Sequence, residues 1–131
     1  MAFMIYSTDD GHVPAWQYLP ASAITPKVGM ALTMSSGKLA LASGTTVPKY
    51  ISMTERDSAL TAGDIIPVIA VTDDIVFGTE NSAALTEAAV GTKVTLATDG
   101  LRVTATATDG VAEIVGLEGT AIGSVVKVRF R

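Results

Sequence analysis

The residues able to do chemistry are few, and each meets a specific obstacle. His12 is the only histidine in the 131-residue chain, so chemistry that needs paired imidazoles or a histidine-rich metal site is closed to it. A Ser-His-Asp arrangement would have to recruit His12, which sits in Asp10-Gly11-His12 and reads as a solvated turn residue. No G-x-S-x-G elbow occurs. Ser35-Ser36-Gly37-Lys38 has the flavour of a phosphate loop, but it lacks the earlier glycine. Leu39 also stands where a serine or threonine would hold magnesium. Two acidic pairs, Asp9-Asp10 and Asp73-Asp74, contain adjacent residues, which point to opposite faces of an extended chain. Neither pair alone is a general acid/base dyad. Neither belongs to the alternating loop that calcium favours, so both read as turn and strand-end residues. There is no cysteine, hence no disulfide and no thiolate site. We assign no catalytic, cofactor or metal site and expect no enzyme.

Two further clusters suit contact better than catalysis. Glu55, Arg56 and Asp57 form the densest charged run, open between a solvated loop and a rim contact to a partner. Lys127, Arg129 and Arg131 alternate with Val126, Val128 and Phe130, giving a strand with one basic and one apolar face. Such a ladder blunts an edge strand against aggregation or pairs with acids on a neighbour; the first reading is the simpler.

The elements that must carry these residues are strands. Length fits one domain. The apolar content is mostly Ala, Val, Leu and Ile, with abundant Thr and Gly, which suits pleated strands and tight turns. A net charge of −4 argues against nucleic acid as a partner. No apolar run reaches the roughly 20 residues needed to span a bilayer. No secretory leader is read in MAFMIYSTDDGH, and the cysteine-free composition fits synthesis in a reducing cytoplasm.

Residues 1–27 read as an extended arm, punctuated by Pro14, Pro20 and Pro26. Trp16 and Tyr18 within it either cap the open end of the domain or anchor the arm on a neighbouring molecule, as interface aromatics do. Residues 28–131 read as the compact domain. MALTM (30–34) and KLALA (38–42) form a hairpin over Ser35-Ser36-Gly37. KYISM (49–53) follows. IIPVIAV (65–71) is apolar enough to be buried on both sides, with Pro67 at an edge or bulge. Residues 82–91 allow two turns of helix or a structured loop. KVTLAT (93–98) and LRVTATAT (101–108) flank Asp99-Gly100 as the clearest hairpin, followed by strands at 111–118 and 124–130. Seven or eight short strands imply an all-β fold, a small antiparallel β-barrel or sandwich with at most one short helix.

The order of these phrases resembles the phage head-decoration, or capsid-cement, proteins. A "G-x-A-L…G-K-L" hairpin is matched by Gly29, Ala31, Leu32, Gly37, Lys38 and Leu39. A "P-x-x-I…A-G-D…V-x-V" pair is matched by Pro48, Ile51, Ala62, Gly63, Asp64, Val68 and Val71. GTAIGSVVKVRF resembles the closing phrase. The likeness spans roughly residues 27–131 and rests on shared order. It implies a structural protein on the exterior of an assembled capsid, bound to the major capsid protein, often as a homotrimer, with no active site. It also implies an N-terminal segment that joins a capsid strand, here no longer than about Phe3–Ser7 because the prolines cannot donate. The partner-binding residues expected on this basis are Phe3, Ile5, Tyr6, Trp16 and Tyr18, together with Glu55, Arg56 and Asp57. The alternatives are another virion module, such as a tail or fibre domain, and a carbohydrate-binding β module with Trp16 and Tyr18 as its stacking platform.

Overall fold

The computed structural model describes residues 2–131. Among these, ten strands form two antiparallel five-stranded sheets. The first sheet is ordered β1 (Met4–Thr8), β7 (Ile75–Glu80), β10 (Val125–Phe130), β9 (Ala112–Leu117) and β8 (Lys93–Val94). The second is ordered β2 (Trp16–Pro20), β6 (Ile65–Ala70), β5 (Tyr50–Ser52), β3 (Ala31–Ser35) and β4 (Lys38–Leu41). The second sheet curls, and its two edges meet at one parallel bridge, Ala21↔Leu39. It does not close, so of the two expected architectures the sandwich is the one observed.

Strand alternation explains where the core lies. On β10, Val126, Val128 and Phe130 are buried while Lys127 and Arg129 turn outward. The buried set packs between the sheets with Phe3, Phe77, Ile51, Ile69 and Ile114. A second cluster, with Leu32, Leu39, Ile66, Val68 and Leu60, fills the opposite, concave face of the second sheet. β6 therefore sends Ile66 and Val68 to one core and Ile69 to the other, as its apolar run predicts, although Ile65 at its start is exposed. Pro67 lies on this interior strand, not at an edge or bulge. Its carbonyl accepts the Met53 N–H at 3.0 Å, so its missing donor forgoes only the return bond to Met53, a residue just past the end of β5.

Local chemistry sets the turns. Ser36 and Gly37 both have positive φ, 51° and 78°, the two-residue turn whose twist matches a tight hairpin. The expected β3–β4 hairpin forms on it. The segment at 82–91 is a loop with one 3-10 turn at Glu87–Ala89. Its donors are spent elsewhere: Ser82 N–H goes to Val103 and Leu85 N–H to Thr120, leaving no helical ladder.

The Asp99-Gly100 hairpin is less regular than its pattern suggests. β8 is only two residues long and pairs with β9. Leu96 instead exchanges both main-chain hydrogen bonds with Gly44 and bridges Val103, which in turn bridges Asn81. These rungs stitch the second sheet to the first.

Within residues 2–27 the two strands β1 and β2 lie on the body of the fold. β1 pairs with β7 and β2 pairs with β6, so the segment supplies one edge of each sheet. Phe3 is fully buried, its ring 5.1 Å from that of Phe130. Gly29 makes this possible. It has φ +84°, and a Cβ there would lie 2.6 Å from the Phe3 carbonyl oxygen, too close for any side chain.

Candidate functional site

β2 builds an exposed aromatic feature. Trp16 and Tyr18 are two residues apart, share one face of the strand, and are 55% and 65% exposed. Their neighbours across the ladder are Ile69 and Pro67. Because Pro67 turns its main-chain groups toward β5, Tyr18 opposite it turns its N–H and C=O away from β6, to the outside of the sheet. Ile65 and Val13 are also well exposed. An open hollow of about 410 Å³ adjoins the start of this segment, lined by Ile5, Ser7, Thr8, Gly11, His12, Val13 and Pro14. This rim carries no lysine, arginine or glutamate.

The expected contact residues fall into three groups. Ile5, Tyr6, Trp16 and Tyr18 are exposed along the two edge strands. Phe3 is not available: its side chain is core, which corrects its assignment to partner contact. Glu55, Arg56 and Asp57 are exposed in the loop after β5. There Arg56 donates through Nη1 to Thr54 Oγ1 at 2.7 Å and through its main-chain N–H to Pro26 at 3.0 Å. Glu55 lines a different hollow, of about 450 Å³, with Lys27, Glu80, Asp99 and Arg102. The mixed charges of that wall offer no single-sign site for a ligand.

The basic ladder is settled differently from either sequence reading. β10 is interior, between β7 and β9, so it blunts no edge. Its bases find acids in the same chain. Arg129 Nη2 meets Asp9 at 2.8 Å, and its Nη1 donates to the Asp73 carbonyl at 2.8 Å. Arg131 meets Asp73 at 3.1 Å and Glu113 at 3.2 Å. Lys127 lies 3.9 Å from Glu118 and 4.2 Å over the Tyr6 ring. The electrostatics follow: Arg129 beside Asp9 holds that carboxyl below its usual range, and Tyr6, with Glu118 adding, holds Lys127 above its own.

The fold also unites what sequence reasoning treated singly. Asp9-Asp10, His12 and Asp73-Asp74 converge at one end of the sandwich, where Asp9 N–H donates to Asp74 O at 3.0 Å. Asp10, His12 and Asp74 each offer a ligand-type atom, all within 4.8 Å of one another. His12 Nδ1 is bonded to Asp10 and lies 3.4 Å from Asp74 Oδ2. The two acidic pairs stand 64 positions apart, so only the β1–β7 register brings them together.

No family model matches the chain, and no curated protein matches it. No helix among the described residues is long and apolar enough to cross a membrane.

Proposed function

We propose that this is a structural virion protein that binds the outer surface of an assembled phage capsid and stabilises it, with the major capsid protein as partner. The observation that carries the reading is the uncharged aromatic rim of β2, Trp16 and Tyr18 exposed side by side on a rigid two-sheet scaffold. Aromatic anchors on a stiff strand give contact area at little cost in conformational entropy. Modest affinity per copy is enough when many copies, or a homotrimer, engage one shell. The sequence likeness over residues 27–131 supports it: the shared "G-x-A-L…G-K-L" phrase falls on the β3–β4 hairpin and the closing phrase on β10.

The test is addition of purified protein to expanded heads that lack it, followed by sedimentation of the particles. Binding that saturates and raises the heads' resistance to heat supports the proposal. Failure to co-sediment at any ratio sinks it. A second reading, a carbohydrate-binding module, is favoured by one observation, the shared exposed face of Trp16 and Tyr18. Quenching of Trp16 fluorescence by oligosaccharides, with no binding to heads, would select that reading.

A further inference from the structure

Two chain crossings between the sheets meet where the acidic pairs converge. Residues 9–15 carry the chain from β1 to β2, and residues 71–74 carry it from β6 to β7. His12 is the link between them. Its Nδ1 is bonded to Asp10 on its own crossing and faces Asp74 Oδ2, 3.4 Å away, on the other. Both partners are held in place. Thr72 Oγ1 donates to the second oxygen of Asp74, and Asp10 Oδ1 also accepts the main-chain N–H of His12 at 3.1 Å. Thr8 Oγ1 donates to the His12 carbonyl at 3.0 Å, fixing the loop from below.

We propose that His12 is a proton-operated clasp that fastens the β1–β2 crossing to the β6–β7 crossing when its ring is charged and releases it when the ring is neutral. The inference is independent of what surface the protein binds. The surrounding charges make it a proton site. From its own crossing, Asp9 and Asp10 face the cluster; from the other, Asp73 and Asp74; from β10 and the residue after it, Arg129 and Arg131; and from β9, Glu113 behind Arg131. The two arginines pair directly with Asp9 and Asp73, so the imidazole is the cationic group that meets Asp10 and Asp74 at close range. Two guanidinium groups beside these carboxylates oppose a divalent cation more strongly than a single proton. A neutral ring keeps at most one hydrogen bond at Nδ1 and loses its attraction to the second carboxylate.

The direction of the pH dependence follows. The Asp10 hydrogen bond, with Asp74 adding, holds the His12 ring above histidine's usual range. The same bond holds Asp10 below the usual carboxylate range. The clasp is therefore complete below the histidine value of the unfolded chain. It is lost as pH rises through the higher value in the folded protein, and again as pH falls through the depressed value of Asp10. What it controls is the crossing that leads through Val13 and Pro14 into the aromatic strand and lines the adjoining hollow.

The experiment is an NMR titration of the intact protein across the histidine range, about pH 5 to 8, following the His12 ring and the exchange protection of the Gly11 and His12 amides. We expect a His12 midpoint above that of a peptide spanning residues 8–16, and a lower midpoint in Asp74→Asn. Protection of the two amides should fall beyond the ordinary base-catalysed trend as pH passes the midpoint, and His12→Gln should remove that extra step. A midpoint at or below the peptide's overturns the proposal, as does an unmoved midpoint in Asp74→Asn. Stoichiometric displacement of the His12 signal by Zn²⁺, abolished in Asp10→Asn, would also overturn it and assign the cluster to a metal instead.

Discussion

The outer face of the first sheet and the rim of β2 solve the problem of exposure in opposite ways. On the first sheet, Lys127, Arg129 and Arg131 stand in a row, and each is matched by acids of the same chain. A partner docking there would have to desolvate or break those pairs, which returns little net affinity. The β2 rim offers the reverse: no charged side chain on the strand itself, two aromatic rings largely in solvent, and main-chain groups directed outward. A charged strand is thus not by itself a binding surface, and an uncharged exposed one is the better candidate.

The contrast can be broken most severely at its root, the burial of β1. Phe3→Ala removes a ring fully enclosed between the sheets and should cost about 3–5 kcal/mol in denaturant unfolding. A change near zero would restore β1 to the status of a detachable arm. Deleting residues 1–20 removes one edge strand from each sheet, so the remainder should lose its cooperative transition in circular dichroism. Gly29→Ala comes next. Left-handed backbone and a clash with Phe3 should together cost more than about 1 kcal/mol. Arg129→Met should destabilise less, and the deficit should shrink in high salt, because the Asp9 pair is exposed. Trp16→Ala and Tyr18→Ala should stay within about 0.5 kcal/mol of the parent in stability while abolishing attachment to heads. Loss of stability with attachment retained would reverse the roles assigned to the two regions.

Local pattern made much of the fold legible. The alternation on β10, the Ser36-Gly37 hairpin and the doubly buried centre of β6 all appear in the sequence as period and turn chemistry. What stayed hidden is what only long-range pairing decides. Phe3 looks like any residue near a chain start until its contact with Phe130 is known. The in-chain partners of Arg129 lie 120 and 56 positions away, so no spacing rule reaches them. The 82–91 segment has good helix formers, yet its N–H groups are claimed by Val103 and Thr120; tertiary hydrogen bonding outweighed propensity. The Asp10–His12–Asp74 cluster was visible as three separate turn residues and became one feature only through the β1–β7 register.

The meeting of Phe3 with Phe130 also fixes an order of events during synthesis. Phe3 precedes every strand and Phe130 closes β10, so the first ring is made before all ten strands and the second after nine of them. β1 finds its ladder partner only at β7, and β7 gains its second neighbour only when β10 has been made. The inter-sheet core therefore cannot close on a growing chain. Until Phe130 is made, Phe3 and the uncharged strand behind it wait in the open. Folding should be slow for a domain of this size and most vulnerable to association before β10 has been made.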